Sequence, residues 1–467
     1  MSYFESEVAN MLQSRTFFDA AKPVYISRAP GRLDLMGGNV DYTGGLVFQA
    51  TIREATWAAA QLRDDDRIVF WNPQMRQEGW LDRVEFEFST LTDEVRTRQQ
   101  ATQSPQAGWT SYVLGVFYLL RKKYPEQVTS GASIYLHSEV PLNKGVSSSA
   151  AVEVASMKAA AAAYGIVIQG IELAEMCQWV ENVIAQSACG IMDQAASVLG
   201  DEGFVLPLLC QSCKPRPLVK LPQGLRCWAI DSGVRHAVTG IEYEAARAAA
   251  FIGYRMICNR EGLTFTFDGD SRIPRFVEPR WNGYLSNISP SVFRSRYENE
   301  LPLLASGEEI ASQNVTHIDP FTTIRPEVNY RVRACTRYAI EENQRIELFV
   351  ELARTACPGA DNAFRLMGDL MFQSHWSYTE CGLGCEATDL LVDLVREEYE
   401  CGKLYGAKVT GGGGGGTVAV LGAEDGDASF RRVVQKYAEA RGFQPYVFEG
   451  SSIGADRFGV RVLGAVS

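Results

Sequence analysis

Three segments carry more polar and conformationally special residues than a neutral fold requires. The first, Pro141-Leu-Asn-Lys-Gly-Val-Ser-Ser-Ser-Ala150, sets a Gly/Ser loop ahead of an Ala-rich run. Such a loop entering a helix offers N–H groups without intrahelical partners and the positive end of the helix dipole, a place where phosphates bind. Ser147, Ser148 and Ser149 add hydroxyls able to cap the helix, meet phosphate oxygens or ligate Mg²⁺, and Lys144 sets a cation beside them. Taken alone, the segment reads equally well as an ordinary N-cap. It is not a Walker A loop, since Gly-x-x-x-x-Gly-Lys-[Ser/Thr] is absent. The second segment is Lys408-Val-Thr, six glycines (Gly411 to Gly416) and Thr417-Val-Ala-Val. A glycine run is entropically unfavourable inside a domain, so something there requires close backbone approach, and the β-like residues that follow argue against a flexible linker. The third, Arg28 to Gly45, packs two Arg, two Asp, one Asn and five Gly into eighteen residues. That density suits a site for a polyhydroxylated ligand, although without context a solvated hairpin loop is the more common explanation of such a segment.

The elements that must hold these segments follow from periodicity. After an amphipathic helix opened by a Ser2-x-x-Glu5 capping box, with Phe4, Val8 and Met11 on one face, β-like runs occur at 24–29, 46–52, 55–62, 68–71 and 84–88. Helices are expected at 109–122, 147–164 and 171–185, with a strand at 133–138. The Pro-bearing stretch 207–222 suits a domain connection, and the boundary is placed at 215/216. The second half restarts with a strand at 226–231 and a helix at 242–260. Residues 264–329, turn-rich and dense in Arg, Pro, Asn and Ser, read as an insertion with little regular structure. Helices at 330–353, 363–377 and 386–400, a strand at 417–421, a helix at 428–441 and a final strand complete an α+β pattern.

Composition narrows the function. In 467 residues, Asp+Glu number 56 against Lys+Arg 45, a net charge of −11, the wrong sign for a nucleic-acid backbone or an anionic membrane as main partner. Eleven cysteines are sparse for a disulfide scaffold and point to a reducing compartment. No apolar stretch approaches the roughly 20 residues of a spanning helix and no export signal opens the chain, so a cytoplasmic location is expected. Cys210-x₂-Cys213 and Cys381-x₃-Cys385 lack a helix-borne His pair, and no structural zinc is expected.

Together the three segments resemble the signature motifs of the GHMP small-molecule kinases, and Arg28 to Gly45 is similar to the galactokinase signature. The resemblance spans about 24–462, apart from 264–329. It implies an α+β, two-domain GHMP kinase fold: a ribosomal-S5-like N-terminal α/β domain (1–215), a ferredoxin-like C-terminal α+β domain (216–467, with the 264–329 insertion), and an active site in the cleft between them. It also implies transfer of the γ-phosphoryl of Mg-ATP to a small alcohol, with Mg²⁺ as cofactor, sugar and ATP as partners, and a monomer or homodimer.

Carried over position by position, the resemblance makes Asp193, in Cys189-Gly-Ile-Met-Asp-Gln194, the catalytic aspartate beside the sugar's C1 hydroxyl and Arg32 its companion. Ser149 and Glu181 become the Mg²⁺ ligands, and Asp41, Gly190 and Tyr243 sugar contacts. The nucleotide falls to Trp109 near the adenine and to Lys144, Gly145, Val146, Ser147, Ser148, Ser149 and Ala150. Where galactokinases read Gly-Glu-His-Thr-Asp-Tyr, this chain reads Gly37-Gly-Asn-Val-Asp-Tyr42. A Glu-His pair for the outer hydroxyls, including the C6 end, is thus replaced by Gly38 and Asn39, which fits L-arabinose, a sugar without the exocyclic arm. The chain resembles still more closely the kinase domain of L-arabinokinases, in Lys144-Gly-Val-Ser-Ser-Ser-Ala-Ala-Val-Glu-Val154, Tyr405-Gly-Ala-Lys-Val-Thr-Gly411 and Phe448-Glu-Gly-Ser-Ser452. D-Galactose is the alternative substrate, and a non-catalytic sugar sensor of the same fold the alternative function. His236 is expected to be a local hydrogen-bond partner, not a base.

Overall fold

The computed structural model describes residues 2–235, 241–269, 275–313, 317–357, 359–399 and 402–464. His236 lies outside them. Two sheets organise the chain. The first runs, edge to edge, Arg461–Leu463, Val24–Met36, Leu46–Leu62, Ala132–Ser138, Arg67–Trp71 and Arg83–Glu87, with Phe204–Leu209 paired to the early part of the Leu46–Leu62 strand. The two runs expected at 46–52 and 55–62 form one continuous strand. Helix Ser148–Ala163 packs across this strand and its Val24–Met36 neighbour, its alanines letting the helix lie close to the sheet. The N-terminal helix Tyr3–Ser14 forms the expected capping box and buries Phe4, Val8 and Met11 against Tyr135.

The second sheet is antiparallel, in the order Leu404–Val409, Thr417–Ala423, Leu225–Asp231, Val447–Glu449. In chain order that is 2-3-1-4, the ferredoxin-like arrangement. Helices Glu386–Tyr399 and Asp427–Arg441 pack against each other and, with this sheet, enclose a core around Trp228, Phe430 and Tyr437. Two segments beyond residue 216 belong to the first sheet: Val219–Lys220 pairs with Phe204–Val205, and Arg461–Leu463 with Val24–Ile26.

Two irregularities position chemistry. The ladder between Val24–Met36 and Leu46–Leu62 shifts register between Pro30 and Arg32 and again between Asp34 and Met36. Such bulges bend a strand and re-aim its side chains, here around Arg32 and Asp34. The helix expected over 171–185 is α-helical only through Gly170–Trp179 and continues as a π turn, Val180–Ile184, which carries Glu181. The described residues of 264–329 form only short pieces, among them the pairing of Thr266–Asp268 with Arg275–Val277 and the helix Pro290–Arg296. They nevertheless dock on the signature loop: Tyr284 lies against Gly44, and the Ser286 and Thr43 hydroxyls are 3.1 Å apart. No helix among the described residues is long and apolar enough to cross a membrane.

Candidate active site

The three motifs converge by backbone contact. The Arg32 N–H donates to Val146 O (3.1 Å) and Arg32 Nη1 to Gly145 O (2.7 Å). From the glycine run, Thr417 Oγ1 donates to Lys144 O (2.8 Å). A Cβ on Gly145 would lie 2.9 Å from Thr410 O, one on Gly411 2.7 Å from Gly145 O, and one on Gly416 2.9 Å from Lys144 O. Five of the six glycines have positive φ, from 69° to 128°. The run is therefore glycine because two loops meet backbone to backbone.

The helix start is open. Ser147 has φ 63°, makes no side-chain cap, and its Oγ is buried without a partner. The ordinary N-cap reading of this segment is thereby removed. What remains is an uncapped N-terminus of a sixteen-residue helix facing a pocket lined by Lys144, Gly145, Ser147, Ser148 and Ser149. Lys144 is ion-paired to Asp231 Oδ2 at 2.8 Å, which ties the loop to the second sheet.

Asp193 sits in the first turn of helix Met192–Leu199 on the same pocket. Arg32 Nε and Nη2 lie 2.9 and 2.8 Å from its Oδ1, leaving Oδ2 to meet a ligand. Glu181 is buried opposite, on one pocket wall with Ser149, and accepts from Gln194 Nε2 at 2.6 Å; the same amide reaches Glu153 at 3.2 Å. Burial, then the charge of Asp193, pushes the Glu181 carboxyl up to about 7. A hydroxyl and a carboxylate lacking a cation fit Mg²⁺, which takes few protein oxygens and leaves its other positions to phosphates and water. Among the described residues no three His, Cys, Asp or Glu side chains group to hold a metal. Asp41, also on the pocket, accepts the N–H groups of Tyr42 (2.9 Å) and Met192 (3.3 Å). Burial, reinforced by Asp193, pushes it up to about 6. A Cβ on Gly190 would lie 1.8 Å from Asp41 Oδ2, so only glycine admits that carboxylate. Asn39, left-handed at φ 60°, and Tyr243 complete the wall, and Asn39 Nδ2 reaches Gly412 O (3.3 Å).

Other expected residues are placed differently. Gly38 does not line the pocket. A Cβ there would sit 1.8 Å from the Tyr378 hydroxyl, which donates to Gly411 O (2.7 Å), and 2.6 Å from Asp34 Oδ2. The glycine makes room for packing, and does not vacate a sugar subsite. Trp109 does not line the pocket either: it packs near Phe70 and donates Nε1 to Leu81 O (2.8 Å). Val146 and Ala150 are buried behind the loop. Sequence reasoning passed over Tyr378, the fully buried pair Lys408–Asp34 (2.8 Å) and Gln194, although Lys408 and Gln194 lie within the quoted motifs.

Known proteins bear on this geometry directly. Residues 111–201 match the GHMP kinases N terminal domain, 348–439 the GHMP kinases C terminal domain, and 15–62 the galactokinase galactose-binding signature. The chain is 36% identical to the L-arabinokinase of Arabidopsis thaliana over 95% of its own length and 47% of that protein. It is 30% identical to the galactokinase of Chloroflexus aggregans over 91% of each chain. The chain belongs to the GHMP kinases. Within them it is a sugar kinase of the galactokinase and L-arabinokinase type. It spans about half of the arabinokinase and nearly all of the galactokinase. Lactococcus lactis galactokinase complexed with galactose shares the two-domain fold, with a TM-score of 0.73 at 20% identity over 97% of this chain and 99% of that one.

Proposed function

We propose that this chain transfers the γ-phosphoryl of Mg-ATP to the anomeric hydroxyl of L-arabinose, with D-galactose as the alternative acceptor. The observation that carries the reading is Asp193 Oδ2, free of Arg32, on one small pocket with the Ser149–Glu181 pair and an uncapped helix start. The sugar oxygen forms its bond to the γ-phosphorus as the bond to the ADP oxygen breaks, and the hydroxyl proton passes to Asp193. Through a loose transition state, the carboxylate serves chiefly to aim the nucleophile, and Arg32 holds its orientation. The N–H groups at the helix start hold the phosphates. Ser149 and Glu181 would hold Mg²⁺, and the bound ion would supply charge neutralisation for the phosphates. Lys144, on the pocket wall, is assigned to the nucleotide side, and closure of the two lobes on the cleft would exclude water.

Support for L-arabinose comes from the A. thaliana relative, 36% identical over 95% of this chain. The test is sugar-dependent ADP release, with kcat/KM for L-arabinose and D-galactose side by side and Asp193→Asn as control. Preference for L-arabinose, abolished in D193N, is expected. Preference for D-galactose would transfer the assignment to that sugar, and no release from any aldose would return the chain to the sensor reading.

A further inference from the structure

The pocket beside Asp193 encloses only about 70 Å³, well below the roughly 300 Å³ at which ligand sites begin. A second cavity of about 310 Å³ shares three of its walls, Asp41, Cys189 and Gly190. Its other walls include Arg247, with Asp319 and Phe321 from the 264–329 insertion. Arg247 stands four residues after Tyr243 on helix Ile241–Arg260, so one helix face offers Tyr243 to the small pocket and Arg247 to the large one.

The guanidinium is built in. Nε and Nη2 donate to Asp319 Oδ2 and Oδ1 at 2.7 and 2.9 Å, and its plane lies near the rings of Tyr42 (4.8 Å) and Phe321 (5.6 Å). The residue is 3% exposed, yet Nη1 has no partner. A buried charged donor left unpaired is costly, and a fork fixed through Nε and Nη2 directs Nη1 away from Asp319.

We propose that the large cavity is the distal part of the sugar site, and that Arg247, braced by the insertion's Asp319, is a specificity-determining residue that donates Nη1 to the ring hydroxyl farthest from the anomeric carbon. This rests on the sugar-kinase reading. The anomeric end lies at Asp193, Asp41 takes the middle of the ring, and the insertion closes the far end. Specificity is then set by a cavity that the insertion completes, in a chain whose signature glycine is occupied by packing.

The test is Arg247→Lys, which keeps charge but loses the fork, assayed with the preferred sugar and its monodeoxy analogues. Expected are a rise of at least tenfold in KM for the sugar, kcat within threefold and an unchanged KM for ATP. One ring deoxy analogue should lose at least tenfold in kcat/KM with the unaltered enzyme and less than threefold with R247K, since a site built to bond a hydroxyl rejects the analogue lacking it. Equal penalties for every analogue in both proteins, or an unchanged sugar KM, would overturn the proposal. If melting shows R247K unfolded, Asp319→Asn carries the same test with the guanidinium present but unbraced. Should no sugar release ADP, the kinase reading fails first. Calorimetric titration of the same sugars then still decides, binding to the unaltered protein lost in R247K supporting the assignment and equal binding, or none, overturning it.

Discussion

Asp41→Asn separates the burial of a charge from its use. The Asp41 carboxyl lies at about 6 in the folded chain against 3.8 in the open one, because burial and the neighbouring Asp193 oppose its ionisation more than Arg247 and two backbone N–H groups favour it. Between roughly pH 4 and pH 6 the folded state therefore holds a proton that the unfolded chain has released, and stability falls as pH rises through this window. A difference of about two pKa units corresponds to about 3 kcal/mol. Asparagine removes that dependence but turns an NH₂ toward one of the N–H groups of Tyr42 and Met192, a loss of about 1–3 kcal/mol at every pH. The variant is thus expected to be the less stable protein near pH 4, and to gain about 3 kcal/mol relative to the parent by pH 7. Urea unfolding of both proteins without ligands, from pH 4 to 8, reads this difference. In the same variant kcat/KM for the sugar should fall about 10–100-fold, the loss of a charged acceptor. A stability difference constant from pH 4 to 7 would refute the reasoning, whatever the activity.

Gly38→Ala should lower stability by about 1–3 kcal/mol or more, because its Cβ would lie 1.8 Å from the Tyr378 hydroxyl. In thermal melts, adding Tyr378→Phe should recover part of that loss, and a melting temperature unchanged in G38A alone would show that Tyr378 does not fill the slot. Lys408→Met leaves Asp34 buried without its ion pair and should destabilise by about 3–5 kcal/mol, read by urea unfolding; a change under 1 kcal/mol would contradict it. Glu181→Gln should raise the Mg²⁺ concentration for half-maximal rate roughly tenfold or more at saturating sugar, and an unchanged Mg²⁺ titration would remove Glu181 from the metal site.

The parts of the molecule legible in the sequence are those set by short-range pattern. Ser2 and Glu5 announce a capping box because both partners lie within one helical turn, and the strands of the first sheet show as apolar runs between Gly, Asp and Pro. The candidate site was legible as residues of interest: Arg32, Ser149, Glu181 and Asp193, far apart in the chain, line one pocket. What failed depended on contacts between distant elements. Gly38 read as a vacancy because nothing in residues 28–45 says that Tyr378, 340 residues on, fills its side-chain direction. The π turn at Glu181 leaves no mark on helical periodicity, and the return of Arg461–Leu463 to the first sheet is a pairing of three residues. Residues 264–329 had few regular elements to read, and their part in the site rests on single residues such as Asp319 and Tyr284.

The glycine and serine loop is specified less by what it offers a ligand than by what holds its other side. The carbonyls of Lys144, Gly145 and Val146 accept in turn from Thr417 Oγ1, Arg32 Nη1 and the Arg32 N–H, and Ser147 O accepts the Ala151 N–H. Four successive carbonyls are thereby engaged by the protein, while the N–H groups at the start of the following helix are those that a helix leaves unpaired. The loop is polarised before any phosphate arrives, and the two residues that polarise it come from the other motifs. Arg32 uses Nη1 and its own N–H for this, and Nε and Nη2 to hold Asp193. One side chain thus fixes the distance between Asp193 and the Gly/Ser loop. An in-line transfer requires that distance to be fixed. The glycines of the third motif allow it, since any Cβ at Gly411 or Gly416 would push the loop off Arg32.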